Sequence, residues 1–376
     1  MATRTPAMRG RAVLATWLVM FAALQVGLGQ AIDRWAPELR DAEYGRKLAL
    51  LRAAQAAHGD RPLLLVLGTS RTAFGFRPAA SVEEATRGPA WQFNFGITGT
   101  GPLQELMYLR RLLDAGIRPR RLLIEIHPPL LHQTPDWCET KNVDVRRLDW
   151  RDVRVLARCA FEPCKLWVKW LPTSLAPWHT HRVAILRRFA PRWPDAESRS
   201  RDETFLRDTA ADGWARFPFR ASDEEERRRV TTKTVGLYAP MLDDFQVTEG
   251  PRRALAETLG LCRRERIETA LFLMPEGSLF RERYPLEART RLDGYLAELR
   301  REYGVALFDA SAWCADRQFF DGQHLLPEGA DSFTARFEHD AVEPWLSHDS
   351  IPAGRENRAE RLAERKPSHS GAQSNR

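Results

Sequence analysis

The sequence predicts an α/β fold: a three-layer α/β/α sandwich on a mostly parallel sheet, with a helical, Trp-rich insertion. Two observations predict it. Short, largely apolar runs such as Pro62–Leu67 (PLLLVL) and Arg121–Ile126 (RLLIEI) are flanked by Gly or Pro, as are strands buried on both faces of a sheet. Segments with helical spacing of apolar residues, such as Pro102–Ala115, lie between such runs. Strands that alternate with helices form parallel sheets covered by helices.

The composition is that of a folded protein. Hydrophobic residues make up 43% of the chain and charged residues 28%, which excludes a wholly disordered chain. The net charge is +7, and part of the basic excess lies in the two termini, Arg4–Arg11 and Arg355–Arg376. No module that combines basic and aromatic residues for nucleic-acid binding is visible, so we expect no nucleic-acid partner.

The N-terminus carries the signal for the compartment. Arg4, Arg9 and Arg11 precede an uncharged stretch, Ala12–Ile32. About 20 apolar residues cross a bilayer as a helix, and positive charge before them keeps the N-terminus inside. We expect a single-pass anchor with the rest of the chain extracytoplasmic, in the periplasm or at the cell surface. The alternative is a cleaved signal peptide, since Gly29–Ala31 resembles a small-residue cleavage site.

The later elements follow in order along the chain. Residues 34–61 predict a helical stalk, because they are charged and rich in Ala and Leu. The α/β domain is predicted in two parts, 62–136 and 246–349. Its further elements are a strand at Trp91–Phe95, a helix at Pro251–Arg266, a strand at Glu268–Met274, a helix at Leu286–Tyr303, a strand at Val305–Phe308 and a closing helix at Gly329–Phe337.

Residues 137–245 interrupt the alternation of strands and helices, and we interpret them as a helical cap above the sheet. Their tryptophans form either the core of the cap or a surface for sugar stacking or membrane contact. Residues 350–376 have no apolar periodicity and predict a disordered tail. An exported chain could pair two of the cysteines 138, 159 and 164, but five cysteines leave at least one thiol over. No Cys/His spacing typical of a metal site occurs, so no metal is expected.

A serine stands where a nucleophile is expected in an α/β sheet. The first strand of the domain ends in Gly68-Thr69-Ser70-Arg71. Active sites in open α/β sheets lie at the carboxyl ends of the strands, and Gly68 allows a sharp turn that presents Ser70. The alternative is that Ser70 only caps a helix.

A second motif, Phe320–Gly329 (FDGQHLLPEG), follows the last predicted strand. A serine hydroxyl needs a base to take its proton, and histidine suits that exchange near neutral pH. Asp321 lies three residues before His324 and can orient its imidazole. Ser70, Asp321 and His324 are therefore the predicted catalytic triad.

Together these two motifs resemble those of the SGNH (GDSL-like) hydrolase superfamily, over roughly 62–121 and 268–337. Gly68-x-Ser70-Arg71 resembles the membrane-anchored branch that assists acyl transfer onto cell-envelope polymers. The resemblance implies an acyl-serine mechanism in which the amides of Ser70 and Gly96 form the oxyanion hole. Gly99, in the same Gly-rich turn, is a rival to Gly96.

The third block departs from the family pattern. Where the family has Gly-x-Asn-Asp, this chain has Ile124–Pro129 (IEIHPP), without an Asn. His127 either replaces the missing oxyanion donor or simply packs at the end of the strand. Arg71 either binds an anionic group of the substrate or pairs with a carboxylate.

The resemblance implies an extracytoplasmic esterase or O-acyltransferase, without a cofactor, that acts on acyl esters of a cell-envelope glycan or lipid. A membrane-bound acyl donor protein is the further partner it implies. The alternative function is a non-catalytic glycan-binding or assembly protein on a degenerate SGNH scaffold, which the missing Asn and the large insertion favour.

Overall fold

A sheet of five parallel strands, in the order β2-β1-β3-β4-β5, organises the chain. The computed structural model describes residues 6–78, 90–190, 192–193, 208–220 and 223–348. The strands are β1 Leu63–Leu67, β2 Trp91–Asn94, β3 Arg121–Glu125, β4 Glu268–Leu273 and β5 Ala306–Asp309. The predicted α/β class is confirmed, and the all-parallel sheet is compatible with a three-layer sandwich.

The strands form where the apolar runs predicted them, each within about one residue at either end. All five residues of β1 and all five of β3 are buried. In the register of the sheet, Leu65 of β1 lies beside Leu122 of β3 and Phe93 of β2. Burial on both faces is why these strands are continuous apolar runs rather than alternating ones.

The α-helices lie before, between and after the strands. They are α1 Pro6–Trp35, α2 Ala42–His58, α3 Ser70–Gly75, α4 Pro102–Asp114, α5 Glu139–Asn142, α6 Trp150–Cys159, α7 Pro163–Leu175, α8 Pro177–Phe189, α9 Glu224–Asp243, α10 Glu249–Glu265, α11 Ser278–Glu282, α12 Leu286–Tyr303, α13 Pro327–Phe337 and α14 Glu343–His348. Residues Met1–Thr334 form one compact unit. Ala335–Arg376 form a second unit, whose described part contains a π-helical turn, Glu338–Val342, and α14.

The predicted stalk is helical, but it does not stand apart from the domain. Tyr44, Leu48 and Leu51 of α2 are buried in the main hydrophobic core, together with residues of the sheet. Lys47 is also buried, and its ammonium donates hydrogen bonds to the carbonyl oxygens of Asn94 and Gly213. Helix α2 is therefore a structural part of the α/β domain.

Helix α1 is 30 residues long. Its portion Gly10–Trp35 is long and apolar enough to cross a membrane. Apolar side chains are exposed along this helix from Val13 to Val26, among them Leu18, Phe21 and Leu24. The structure therefore has an N-terminal apolar helix that fits either an anchor or a signal sequence.

The insertion, where it is described, is largely helical, as predicted. Its tryptophans were expected either in the core of the cap or on its surface, and both locations occur. Trp170 and Trp214 are buried, whereas Trp150, Trp178 and Trp193 are exposed. The cap thus has aromatic residues both inside and on its surface.

All five cysteines are described, and all five are free. Cys164 is exposed, and the others are buried. The pairing considered for Cys138, Cys159 and Cys164 is therefore not present in this structure. The predicted disordered tail, 350–376, lies outside the described residues.

Candidate active site

Ser70 is the first residue of the short helix α3, directly after β1 and the turn Gly68-Thr69. The side chain of Thr69 caps this helix by accepting the backbone N–H of Arg71 at 3.1 Å. Oε2 of Glu125, at the end of β3, accepts hydrogen bonds from the Thr69 N–H (2.8 Å) and from the hydroxyls of Thr69 (3.0 Å) and Thr72 (2.6 Å). A carboxylate at the edge of the sheet thus holds the turn that presents Ser70.

Gly68 is required by this arrangement. A Cβ atom at Gly68 would lie 2.6 Å from Oε2 of Glu125 and 2.3 Å from Oγ1 of Thr72. Real Cβ atoms do not approach other atoms so closely, so any other residue would displace the carboxylate from the turn.

Ser70, His324 and Asp321 form a continuous hydrogen-bonded series. Ser70 Oγ lies 2.8 Å from His324 Nε2, across 254 positions of sequence. His324 Nδ1 lies 2.8 Å from Asp321 Oδ2. The imidazole is thus held by a carboxylate on one nitrogen and reaches a hydroxyl with the other, which is the arrangement of a catalytic triad. The three predicted residues are brought together.

The loop between β5 and α13 forms a turn that places the side chains of Asp321 and His324 next to each other. The Phe320 N–H donates to the His324 carbonyl at 3.0 Å, which closes a tight turn. Gly322 takes a positive φ of 81° within this turn, a conformation that favours glycine. Asp321 Oδ1 accepts the backbone N–H groups of Gln323 (3.0 Å) and His324 (2.8 Å).

These hydrogen bonds keep Asp321 ionised. Burial raises the pKa of the Asp321 carboxyl, but the hydrogen bond and charge of His324 and the two backbone N–H groups act against burial and outweigh it. The net pKa lies below the ordinary value of an aspartate. A carboxylate that stays charged can stabilise an imidazolium during proton transfer.

Arg71, one residue after the nucleophile, is buried and paired. Its guanidinium donates to Glu276 Oε1 (3.2 Å) and to the carbonyl oxygens of Met274 (2.9 Å) and Pro275 (3.0 Å). Its Nε lies 3.7 Å from Oε1 of Glu125. Of its two expected roles, the structure gives Arg71 the pairing with carboxylates. The guanidinium therefore makes its contacts within the protein and is not presented to a substrate.

The predicted oxyanion role of Gly96 needs correction. The Gly96 N–H donates to the side-chain oxygen of Asn94 at 2.8 Å, so it is not available to an oxyanion. A Cβ atom at Gly96 would lie 2.5 Å from the backbone nitrogen of Ala73, which explains the glycine by close packing against α3. Gly99 is exposed, with a φ of 69°, and no acceptor for its N–H occurs among the described residues.

Two bonds tie the turn that contains Gly99 to the loop before the nucleophile. The Ile97 N–H (2.9 Å) and the Thr100 hydroxyl (3.2 Å) both donate to the carbonyl of Gly68. Gly99, the rival of Gly96, thus lies in a turn that is bonded to the loop before Ser70.

His127 lies buried just beyond the end of β3, and its Nε2 atom finds no hydrogen-bond partner in the described part of the chain. Burial, followed by the charges of Arg71 and His324, lowers the pKa of His127 well below its ordinary value. The ring is therefore neutral at physiological pH. An unpaired buried polar atom is costly, and its presence beside a triad is typical of a functional site.

An aromatic surface flanks His324. The ring of Phe217 stacks on the His324 imidazole, with centroids 5.0 Å apart and planes inclined by 13°. Phe74 meets the same imidazole edge-on at 5.8 Å. Phe219 and Phe320 extend the surface outward, each within 6 Å of Phe217 by ring centroids, at 5.6 and 5.3 Å respectively. We call Phe74, Phe217, Phe219 and Phe320 the aromatic wall.

The insertion covers the site from two sides. The segment that carries Phe217 is held to α3 by the Trp214 indole N–H, which donates to the Phe74 carbonyl at 2.7 Å. Helix α9 approaches from another side. The ring of Tyr238 lies 5.4 Å from that of His127, and a Cβ at Gly322 would meet Thr231 at 2.9 Å.

Sequence reasoning missed Glu125, Glu276 and the aromatic wall. Glu125 had a readable signal, because a carboxylate inside the apolar run RLLIEI must find a partner when it is buried. Glu276 and Phe217 had none, since nothing near them in sequence indicates that they meet Arg71 and His324.

Comparison with models of known protein families finds no match to this chain. A search among curated proteins likewise finds no significant match.

Proposed function

We propose that the chain is an SGNH-type serine esterase or O-acyltransferase that acts on acyl esters of a cell-envelope glycan or lipid. The observation that carries the proposal is the series Ser70–His324–Asp321, with both hydrogen bonds at 2.8 Å. Such a series activates a hydroxyl for attack on an acyl carbon. The parallel sheet supports it further, because the serine lies at the carboxyl edge where open α/β sheets carry their sites.

In the first step, Ser70 Oγ attacks the ester carbonyl carbon while His324 Nε2 takes the hydroxyl proton. The C–O bond to the alcohol then breaks, and His324 returns the proton to the departing oxygen. An acyl-Ser70 ester remains. In the second step water, or a glycan hydroxyl, loses its proton to His324 and attacks the acyl carbon. The bond between that carbon and Ser70 Oγ breaks, and His324 returns the proton to Oγ.

Three groups are candidate donors to the oxyanion. The N–H of Ser70 is at the first position of a helix, where no intrahelical acceptor exists. Gly99 offers an exposed N–H, and neutral His127 offers a ring N–H in its Nε2–H form. This set replaces the Gly96 and Asn donors that the family resemblance implies. Losing one such donor typically costs on the order of 100-fold in rate.

The aromatic wall favours a substrate with an apolar portion. Phe219 is exposed and adjoins Phe320, and both continue the surface that begins at His324. An acyl chain or the apolar face of a sugar ring can lie on such a surface. The wall orients the ester beside the triad.

The N-terminal helix supports the proposal that the chain is anchored in a membrane with its α/β domain outside the cytoplasm. Arg9 and Arg11 precede its uncharged stretch, and this charge bias keeps an N-terminus in the cytoplasm. We propose that α1 spans the membrane and that the triad faces the periplasm or the cell surface. A membrane-bound acyl donor protein is the partner proposed if the reaction is a transfer.

A fluorophosphonate probe tests the proposal, because it reacts covalently with activated serines. We expect the full chain in native membranes to be labelled at Ser70 and labelling to disappear in Ser70→Ala. Ser278→Ala is the matched control, since Ser278 also bonds a carboxylate, that of Asp316, but has no histidine partner among the described residues. Its labelling should equal that of the wild type. Labelling that survives in Ser70→Ala, or no labelling of the wild type, would contradict the proposal.

The product that receives the acyl group distinguishes hydrolysis from transfer. An ester with a labelled acyl group is supplied with and without a soluble glycan acceptor. Labelled free acid then indicates hydrolysis, and labelled glycan indicates transfer. Glycan binding that persists in Ser70→Ala, with no acyl turnover in the wild type, would instead favour the non-catalytic alternative.

A further inference from the structure

Helices α7 and α8 form a hairpin that packs against the anchor helix. They are joined at Ala176, and the turn Leu175–Trp178 lies beside the second half of α1. The backbone N–H of Trp178 donates to the side-chain oxygen of Gln25 at 3.1 Å. A Cβ atom at Gly29 would lie 3.3 Å from Pro177, so the glycine allows this close contact.

The place of contact sets the depth of the hairpin. The uncharged stretch of α1 ends at Ile32, seven positions after Gln25. At about 1.5 Å per residue, Gln25 lies roughly 10 Å inside the end of that stretch. If α1 crosses a bilayer about 30 Å thick, the hairpin turn lies within the same leaflet as Gln25.

The surface of the hairpin has the character of a membrane-inserted segment. Val168, Leu171, Leu175 and Trp178 are all exposed. No Asp, Glu, Lys or Arg occurs between Lys169 and Arg182. This order places an apolar turn deepest, and the positive side chains of Lys169 and Arg182 toward the lipid headgroups.

The polar groups at the contact are arranged as an apolar environment requires. The first N–H groups of a helix have no intrahelical acceptor, and in hydrocarbon each must be satisfied by other means. Pro177, the first residue of α8, has no N–H, and the next N–H, that of Trp178, bonds Gln25. The buried side chain of Gln25 on α1 is thereby paired with a backbone donor at the start of α8.

We propose that the α7–α8 hairpin is a second membrane contact, which inserts its turn into the outer leaflet beside α1. The lipid bilayer is the occupant because the hairpin surface is continuous with the membrane-spanning helix and carries its charges only away from the turn. The inference rests on the proposed role of α1 as an anchor. Two contacts would restrict the tilt of the domain more than a single anchor does.

Site-directed fluorescence in the full chain tests this inference. Cys164→Ser removes the exposed thiol, and single cysteines then carry an NBD label at Met20, Leu175 or Leu286, which are 51%, 67% and 75% exposed. Met20 reports on the anchor, Leu175 on the hairpin, and Leu286, on α12, is the control. The proteins are reconstituted into vesicles of phosphatidylcholine and phosphatidylglycerol, with or without brominated acyl chains.

We expect brominated lipid to quench the labels at Met20 and Leu175 by about twofold or more, and to leave the label at Leu286 unchanged. If Met20 is quenched and Leu175 behaves like Leu286, the hairpin inference is wrong and the anchor stands. If neither is quenched, both are wrong. A Leu175 label with blue-shifted emission but no quenching would show that protein covers the turn, and would also overturn the inference. Labelling of Ser70 by fluorophosphonate is an independent readout of the proposed chemistry.

Discussion

Arg71 Nη1 lies 3.2 Å from Glu276 Oε1, and this buried pair joins the residue after the nucleophile to the segment that follows β4. Burial raises the pKa of Glu276, although the charge of Arg71 and hydrogen bonds from Tyr284 and Arg71 oppose the shift. The pair ties the first turn of α3, which begins at Ser70, to the segment after β4.

Glu276→Gln is expected to destabilise the protein strongly. Breaking a buried ion pair costs about 3–5 kcal/mol, and we expect the lower end of this range because Glu125 remains 3.7 Å from Arg71 in the variant. The free energy of unfolding of detergent-solubilised protein measures the effect. The control is Glu249→Gln, because Glu249 pairs with Arg253 on the surface, where the cost is at most about 1 kcal/mol. Equal losses of free energy of unfolding in the two variants would show that the buried pair stabilises the protein no more than the surface pair does.

Asp321→Asn is expected to slow the reaction without unfolding the protein. An asparagine keeps the shape of the side chain but cannot hold the imidazole in the correct tautomer or stabilise its charged form. We expect the rate of fluorophosphonate labelling of Ser70 to fall by about 10³–10⁴-fold. Asp316→Asn, in the same loop region but bonded to Ser278, should label at the wild-type rate. A fall of less than about tenfold in Asp321→Asn would mean that Asp321 does not orient His324.

His127 is expected to make stability depend on pH. Its pKa in the fold lies well below the ordinary value of about 6.5, so the unfolded chain binds a proton that the folded chain does not. The contribution is fully present above about pH 6.5 and is lost as pH falls toward the pKa of the folded state. His127→Asn removes this titration.

Between about pH 7 and pH 5, the wild type should therefore lose about 2 kcal/mol more free energy of unfolding than His127→Asn does. His181, whose pKa is lowered to about 4, first by burial and then by the charge of Arg40, acts in the same direction. It is present in both proteins, so the difference isolates His127. Parallel pH profiles for the two proteins would contradict a buried, neutral His127.

Phe219→Ala is expected to discriminate between substrates. If the aromatic wall holds the apolar portion of the ester, the variant should lose roughly tenfold in kcat/KM for p-nitrophenyl octanoate, which corresponds to about 1.4 kcal/mol of apolar contact. Turnover of p-nitrophenyl acetate should change little, since its short acyl group does not reach the exposed ring. Phe161→Ala removes another exposed phenylalanine and should affect neither ester. Equal loss for both esters would assign Phe219 a structural role.

The elements of the fold and the residues of the Ser70–His324–Asp321 series were predictable because their signals are local. Buried strands such as β1 and β3 are continuous apolar runs, and Asp321 and His324 lie within four residues of each other. The sheet then joins that loop to Ser70, as the order of strands and helices predicted. These features depend on residue type and short-range spacing, both of which can be seen directly in the sequence.

Other features of the site were decided by tertiary contacts alone. Arg71 pairs with Glu276, and Phe217 stacks on His324. Both contacts join residues more than 100 positions apart: the first pair flanks the insertion in sequence, and the second joins the insertion to the loop after β5.

The sequence by itself determined the alternation of strands and helices, the N-terminal apolar helix and the three residue types of the triad. Only the tertiary structure decided which amides remain unpaired, which carboxylates hold Arg71 and where the α7–α8 hairpin meets α1. The physical reason is that periodicity and spacing report which surfaces a segment must bury. They do not report which distant donor, acceptor or ring will satisfy a given atom, because that depends on how the whole chain packs.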